Sequence, residues 1–499
     1  MKAYYTLAAF GFAVLAAAAV WLGGLNQDEG WYLYAANLVA DGQMPYRDFF
    51  FTQAPLMPYI YSAFSFIWAK AGLLGARILT ICFGALGIAY AAGLARRLVP
   101  EDRRDLASLV VLLLLGSNLY HLYYVAIPKT YALAGLLVAA GLYALSFGDR
   151  WHRSAAFMSG VFLAMASGTR ISLGVLLAVV GTWLLFRGRR LQWLWFGLGG
   201  MLALALVYGP FLASPPARAG LAAAQAYHAA RGGFDVVFTV GSLSRLVRWY
   251  LPVFVLLGLG AGLALASRSD GGEGESRGGA APFGAGLPVA CFAAVFAVQM
   301  LAPFPYEDYQ VPVMGLLAVF AAINFGPGPD ALAIHRPLIL VLGLAWATAF
   351  GSPLLEKWTT NGQDRFWTLK KDRCELAQLR DVARAIEEED PNGDMLLTQD
   401  LYLAIETGRK VPDGLEMGPF SMLSDEEWRK LLTSAPCTMA ALSGYSFAIH
   451  PPRCDEVPVE RQMEYFSLLK KNYDLVLREE AFGQNATTLL VLKRKPEKP

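Results

Sequence analysis

Long apolar stretches separated by short polar loops dominate the first 352 residues. A helix rises 1.5 Å per residue, so about 20 apolar residues cross a hydrocarbon layer of about 30 Å. We therefore predict a mostly α-helical, polytopic membrane bundle with about eleven spans. The stretches lie at residues 3–25, 75–95, 106–120, 130–147, 154–169, 171–186, 191–213, 250–266, 286–303, 309–325 and 337–352.

Residues 3–25 are longer than the apolar region of a cleaved signal peptide, about 7–15 residues, which favours a retained first span over a removed leader.

The loops between the predicted spans differ in charge. Short cytoplasmic loops hold most Lys and Arg, and every basic cluster falls inside if Lys2 is inside. These clusters are Arg96 and Arg97 with Arg103 and Arg104, then residues 150–153, 187–190, 268–277 and 335–336.

The segment 55–72 is apolar enough to span, but counting it as a span would place the cluster from Arg96 to Arg104 outside. It contains Pro55, Pro58 and Lys70 together with several aromatic residues. We predict an amphipathic helix in the outer interface, where aromatic rings are favoured. Residues 26–74 then form one external loop.

A short helix is predicted early in this loop, because five apolar residues recur at helical spacing. Gly42 is a plausible end, and Asp28 and Glu29 lie at the start, near the positive end of the helix dipole. The five residues are Trp31, Tyr34, Ala35, Leu38 and Val39.

The composition becomes that of a soluble domain near Glu356, so we divide the chain into a membrane domain, 1–352, and an extracytoplasmic α/β domain, 353–499. "LAQLRDVARAIEEE" is helix-like, and "DMLLT", "CTMAALS", "DLVLREE" and "TTLLVLKR" are strand-like. The domain has no phosphate loop or nucleophile motif, and we expect it to cover the site or help bind an acceptor. Cys437 and Cys454 are a possible disulfide, although free thiols fit equally well.

Composition excludes several classes of function. Hydrophobic residues make up 56% of the chain and charged residues 16%, which is unlike an ordinary soluble protein. The basic residues follow the loops and form no long basic tract, so we predict no nucleic-acid partner. No residue spacing resembles a zinc site, and we predict neither a metal nor a cofactor.

Adjacent carboxylates at an external membrane boundary suit acid–base work on a lipid-borne substrate. In sugar transfer from a polyprenyl phosphate, one carboxylate would deprotonate an acceptor hydroxyl that attacks the anomeric carbon. The phosphate is already a good leaving group and needs only cationic partners, which Arg or Lys can supply.

The same residues resemble the GT-C glycosyltransferases, in particular the protein mannosyltransferase and aminoarabinose transferase branch. The resemblance rests on the acidic pair in "DEGWYLYA", on "GQMP" and on "QAPLMPY". It continues through "ARILTICFGALGIAYAAGLARRL", "GTRIS" and "PYEDYQVPVMGLLAVFAA" as an ordered series over most of residues 1–352. Two departures are Gln53-Ala54, where relatives commonly have Lys-Pro, and Lys129, where an aspartate is frequent.

The resemblance implies an inverting enzyme of a bacterial or archaeal plasma membrane, and the basic loops predict a cytoplasmic N-terminus. It would transfer a hexosyl or pentosyl unit from a polyprenyl-phosphate donor to a hydroxyl of a lipid, glycan or protein. Asp28 would be the base, and Glu29 would shape the site or bind the acceptor. We predict donor-phosphate contacts from Lys129, Arg170 and Arg47. Acceptor or cavity residues are predicted to be Tyr32, His121, Glu307, Asp308 and Tyr309.

Each candidate also has a structural interpretation. Asp28 and Glu29 could cap the helix, Arg47 could form a surface ion pair with Asp48, and Lys129 and Arg170 could extend toward the interface. A transporter or lipid flippase is a different class of function, but it would favour repeats and ionisable residues at mid-span. An inactive relative that serves as a binding module is a third possibility.

Overall fold

A computed structural model describes residues 1–148, 151–188, 191–230, 232–269, 284–324, 374–444, 449–450 and 455–496. Helices of the membrane part are α1 (Lys2–Leu22), α2 (Gln27–Ala40), α3 (Leu56–Ser62), α4 (Ser65–Leu98), α5 (Arg104–Gly116), α6 (Leu119–Ala126), α7 (Thr130–Leu145), α8 (His152–Thr169), α9 (Val175–Arg187), α10 (Gln192–Ala213), α11 (Pro215–Ala229), α12 (Val236–Trp249), α13 (Leu251–Ser269), α14 (Gly286–Met300) and α15 (Val311–Asn324).

The apolar stretches predicted from the sequence form helices wherever the structure describes them, and the stretch 337–352 lies outside the described residues. Three helices, α1, α4 and α10, are long and apolar enough to cross a membrane. Two bent pairs raise this number to five if each pair is one span: α5 with α6, bent by 72°, and α12 with the first part of α13, bent by 82°. The chain is therefore a membrane protein, but the count of about eleven spans is not confirmed.

Small residues allow the bundle helices to approach closely. Gly160 on α8 lies against the backbone carbonyl of Phe196, and Gly199 on α10 lies against that of Phe157, so neither position has room for a Cβ atom. Helices of a bundle in a membrane gain much of their stability from such close van der Waals packing. This contact fixes α8, and with it the loop that begins at Arg170.

The segment 55–72 does not continue smoothly into the span that follows it. It consists of α3 and the first turns of α4, and Gly72 then breaks α4 with φ 59° and ψ −153°. Positive φ at this position favours glycine, because a Cβ atom would be strained there. The interfacial position of this segment stays a prediction.

The C-terminal part contains a small sheet together with helices, while its division from the membrane part at residue 353 stays a prediction. Its four-stranded sheet has the order β1-β2-β6-β5, in which β1 and β2 are parallel and the other pairs antiparallel. The strands are β1 (Leu396–Leu397), β2 (Met439–Ser443), β5 (Tyr473–Phe482) and β6 (Thr487–Arg494), and β3 (Ile449–His450) pairs separately with β4 (Asp455–Glu456). The helices are α16 (Glu375–Glu389), α17 (Leu401–Thr407), α18 (Asp425–Ser434) and α19 (Val459–Asn472). Cys454, and with it the possible disulfide, lies outside the described residues.

Helix α2 is confirmed, but its surroundings differ from the prediction of one apolar stripe at a surface. Trp31, Tyr32, Leu33, Tyr34 and the residues around them are buried on several sides of the helix. The reason is that α17 of the C-terminal domain packs against the side of α2 that an interfacial helix would leave open. Gly30 touches the backbone at Leu401 and Tyr402.

Candidate active site

The first turn of α2 is fixed by a reciprocal cap. The side chain of Asn26 accepts a hydrogen bond from the Asp28 N–H at 3.0 Å, and the Glu29 carboxylate accepts one from the Asn26 N–H at 2.9 Å. This capping box satisfies N–H groups that a helix start otherwise leaves without partners. The two carboxylates of this turn differ in burial: the Asp28 side chain is partly exposed, whereas Glu29 is completely buried.

Glu29 lies away from the other candidate residues and pairs with Arg77, which sequence analysis treated as part of a span. The guanidinium donates from Nε and Nη2 to the two Glu29 oxygens, each at 2.7 Å, and both side chains are fully buried. Arg77 also donates to the carbonyls of Val20, in the last turn of α1, and of Gly23 and Gly24, just after it. Glu29 therefore joins α1, α2 and α4.

Asp28 instead takes part in a cluster of charged residues from three elements. Lys129 Nζ lies 2.7 Å from Asp28 Oδ2 and 3.1 Å from Asp308 Oδ2. The Tyr131 hydroxyl donates to the same Asp308 oxygen at 2.8 Å. Trp31 Nε1–H donates to the other Asp28 oxygen at 3.0 Å. Both oxygens of Asp28 thus have defined partners, although its side chain remains 23% exposed.

The position of Lys129 follows from the sequence around it. Pro128 ends the short helix α6, and Lys129 has extended backbone as the residue that precedes α7. Burial acts to lower the pKa of Lys129, but the Asp28 and Asp308 carboxylates are among the groups that raise it well above its ordinary value. Lys129 is therefore cationic at neutral pH.

Arg170 lies beside this cluster, in the turn after α8. Its guanidinium is 4.9 Å from the ring centroid of Tyr131 and 4.7 Å from that of Tyr309, and Nη1 is 3.4 Å from the Thr130 hydroxyl. Within the described part of the chain, no carboxylate forms a salt bridge with Arg170. Tyr32 is buried on α2 and hydrogen bonds to the same Thr130; burial raises its pKa, so the phenol stays protonated.

A second acidic contact borders the cluster. The one-turn 3-10 helix Glu307–Gln310, which precedes α15, carries both Glu307 and Asp308. Glu307 Oε2 lies 3.0 Å from Arg245 Nε of α12. Burial and the adjacent Asp308 raise the pKa of Glu307, whereas Arg245 lowers it, with a net increase. From the sequence, Arg245 is expected only as part of the loop 214–248, which could form a wall of the cavity.

Besides Glu29, two further predicted site residues are not brought into the cluster. Arg47 is exposed on the turn after α2, and its guanidinium pairs with the neighbouring Asp48 at 2.7 Å. His121 is buried on α6, where Nδ1 lies 3.0 Å from the Tyr250 hydroxyl. Conversely, Tyr131 and Trp31 contact the cluster directly although sequence analysis assigned them no chemistry. The only indication in the sequence was that each is an aromatic residue close to a charged candidate residue.

No protein-family model matches the chain, and no curated protein matches it. Among solved structures, the crystal structure of ArnT from Cupriavidus metallidurans bound to undecaprenyl phosphate is 14% identical, with a TM-score of 0.65 over 100% of this chain and 99% of that chain. The apo structure of the same protein is 15% identical, with a TM-score of 0.65 over 99% of both chains. The chain therefore has the fold of ArnT over its full length, and the resemblance predicted from the sequence is confirmed as a likeness of fold.

Proposed function

We propose that this protein is an integral membrane glycosyltransferase that transfers a sugar from a polyprenyl-phosphate donor to an acceptor hydroxyl on the extracytoplasmic face. The observation that carries the proposal is the cluster in which Asp28 lies 2.7 Å from Lys129, with Arg170 beside it. A partly exposed carboxylate and two buried or half-buried cations thereby meet at one place. Acid–base chemistry next to a phosphate ester needs this combination of groups.

Asp28 is assigned as the general base. Its carboxylate accepts the proton of the acceptor hydroxyl while the acceptor oxygen forms a bond to the anomeric carbon. The bond from that carbon to the phosphate oxygen breaks, and the phosphate leaves with the electron pair. Attack opposite the leaving group inverts the configuration of the sugar. The hydrogen bond from Trp31 orients the carboxylate, and the ammonium of Lys129 pairs with its other oxygen.

Lys129 and Arg170 are assigned to the phosphate of the donor. An ammonium has three N–H donors, and Lys129 directs two of them at Asp28 and Asp308, which leaves one for a phosphate oxygen. Arg170 has a planar fork of donors held between two tyrosine rings, a geometry that suits bidentate contact with phosphate. Arg47 has no part in this assignment because it lies on an exposed turn.

The acceptor is assigned to the side of the cluster bounded by Tyr32, Tyr309 and the Glu307–Arg245 pair. Asp308 holds Lys129 and Tyr131 and so supports the phosphate contacts. Glu29 supports Asp28 from within α2 through Arg77. The ArnT structure that shares this fold was determined with undecaprenyl phosphate, which supports a polyprenyl phosphate as the lipid part of the donor.

The test is to incubate the purified protein with a panel of labelled polyprenyl-phosphate sugars and to measure loss of the donor. We expect one donor to be consumed, and Asp28→Asn to slow its consumption by about 100-fold or more, the scale of a lost general base. Asp41→Asn is the matched control, because Asp41 follows α2 directly and forms an exposed pair with Lys410. Equal rates for Asp28→Asn and Asp41→Asn would remove Asp28 as the base.

A further inference from the structure

The C-terminal domain contacts the residue directly before Asp28. The backbone N–H of Gln27 donates to the side-chain oxygen of Gln484 at 2.8 Å, in the turn between β5 and β6. The side chain of Gln27 donates from Nε2 to Asp400 Oδ1 at 2.7 Å. Tyr402 donates its hydroxyl to the same Asp400 oxygen at 2.9 Å. Gln27, Asp400 and Tyr402 are all buried.

The residue directly after Asp28 is held from the opposite side. Glu29 pairs with Arg77 of α4, so the membrane bundle fixes Glu29 while the C-terminal domain fixes Gln27. The position of Asp28 in the cluster therefore depends on both contacts. From this arrangement we infer that Asp400 is a positioning residue for Asp28, and that it acts through Gln27. The inference rests on the proposed function, in which Asp28 is the base.

Several other contacts dock the domain on the first loop without involving Gln27. Glu406 accepts a hydrogen bond from the Leu73 N–H at 2.8 Å, at the break in α4. The Val411 N–H donates to the Tyr34 hydroxyl at 3.0 Å. Loss of the Asp400 contact should therefore leave the domain docked but loosen the first turn of α2. Misplacement of a reacting group by about 1 Å is enough to cost up to about 100-fold in rate.

The experiment compares Asp400→Ala, Gln27→Met and the double variant in the purified full-length protein. Gln27→Met keeps the length of the side chain but removes its amide, so it breaks the same contact from the other side. Asp390→Ala is the control: Asp390 accepts from Arg409 at 3.0 Å and from the Thr438 hydroxyl, in the same domain and without contact to α2. The readouts are kcat and KM for the labelled donor, the melting temperature, and hydrogen exchange in residues 24–34.

We expect each variant of the Asp400–Gln27 contact to lower kcat by about 10-fold, with KM for the donor changed less than 2-fold, as for a misplaced base. The double variant should be no slower than either single variant, because both remove one contact. Exchange in residues 24–34 should accelerate in all three variants and stay unchanged in Asp390→Ala.

Unchanged kcat alongside faster exchange would overturn the inference, since the contact would then be structural only. A fall in kcat of the same size in Asp390→Ala would also overturn it, because general destabilisation would explain both. If the unmodified protein consumes no donor in the panel, the proposed function fails. Exchange in residues 24–34 still decides in that case whether Asp400 holds the first turn of α2, and unchanged exchange rejects the contact as a positioning element.

Discussion

Two adjacent carboxylates in this chain have different surroundings because of helix geometry. Neighbouring residues of a helix point about 100° apart, so Asp28 and Glu29 cannot face the same partner. Asp28 meets Lys129, whereas Glu29 meets Arg77 in a fully buried pair. The sequence predicts that the acidic pair begins a helix. Which carboxylate faces the cluster is set by the packing of α2 against α4 and α17.

Arg77 provides a residue-scale prediction of stability. In Arg77→Leu the Glu29 carboxylate would stay buried without its partner, and such a loss costs about 3–5 kcal/mol. We expect a marked fall in the melting temperature of the purified protein and in its yield from membranes. Arg47→Leu removes an exposed ion pair, worth about 0–1 kcal/mol, and is the control. A similar melting temperature for the two variants would contradict the role of the buried pair.

Arg170 provides the residue-scale prediction for donor binding. Arg170→Lys keeps the charge but loses the planar fork, so we expect KM for the donor to rise by about 10-fold, the loss of about 1.4 kcal/mol in binding. Arg170→Gln removes the charge and should raise KM further. The control is Arg153→Gln, because Arg153 also lies over an aromatic ring, that of Trp195, but at the opposite end of α8. Steady-state kinetics with the labelled donor measure KM for each variant. An unchanged KM in Arg170→Gln would exclude the phosphate contact.

The residues of the cluster were partly accessible from the sequence. Lys129 and Arg170 lie at the outer ends of predicted spans, on the same predicted side as Asp28, and Asp308 precedes a later predicted span, so their meeting could be anticipated from topology. The roles of Tyr131 and Trp31 could not, because an aromatic residue near an interface needs no chemical explanation. Arg245 reaches Glu307 only because α12 packs beside the turn that carries it.

At the scale of elements, apolar periodicity predicts where the helices lie but not which elements pack around them. The strands β1, β2, β5 and β6 overlap strand-like segments identified in the sequence. Strands β5 and β6 contain several leucine and β-branched residues, whereas β2 is a short, mainly apolar run. Helix α17 was not predicted, because a helix of seven residues is stabilised by tertiary contacts and carries little local signal. Its contact with α2 is therefore a feature of the fold that no local pattern could reveal.

Gly30 gives the prediction at this scale. A Cβ atom at Gly30 would overlap the backbone between Leu401 and Tyr402, so Gly30→Ala must separate α2 from α17. Overpacking of this kind costs about 1–3 kcal/mol, and here it also displaces the turn that carries Asp28. We expect a lower melting temperature together with a lower kcat. Gly11→Ala on α1 is the control, since nothing lies near a Cβ atom there. Equal stability and activity in the two variants would show that the two helices are not in close contact.

At the scale of the whole molecule, the proposed orientation in the membrane rests on α4. Residues 73–98 of this helix, after its break at Gly72, extend about 39 Å at 1.5 Å per residue, which exceeds the hydrocarbon thickness of about 30 Å. The first loop and the loop around Asp102 therefore lie at opposite ends of one span. The basic residues Arg96, Arg97, Arg103 and Arg104 gather at the second end, which the positive-inside rule assigns to the cytoplasm.

Cysteine labelling in intact cells tests this orientation. We expect a membrane-impermeant maleimide to modify Arg47→Cys in the first loop and Met463→Cys on α19, whose side chains are exposed, but not Asp102→Cys. The unmodified protein gives the background from its native cysteines. Permeabilised cells should allow Asp102→Cys to react, because the residue is itself exposed on the protein surface. Labelling of Asp102→Cys alone in intact cells would contradict the proposed orientation. It would also contradict the face on which Asp28 and the donor phosphate are proposed to meet.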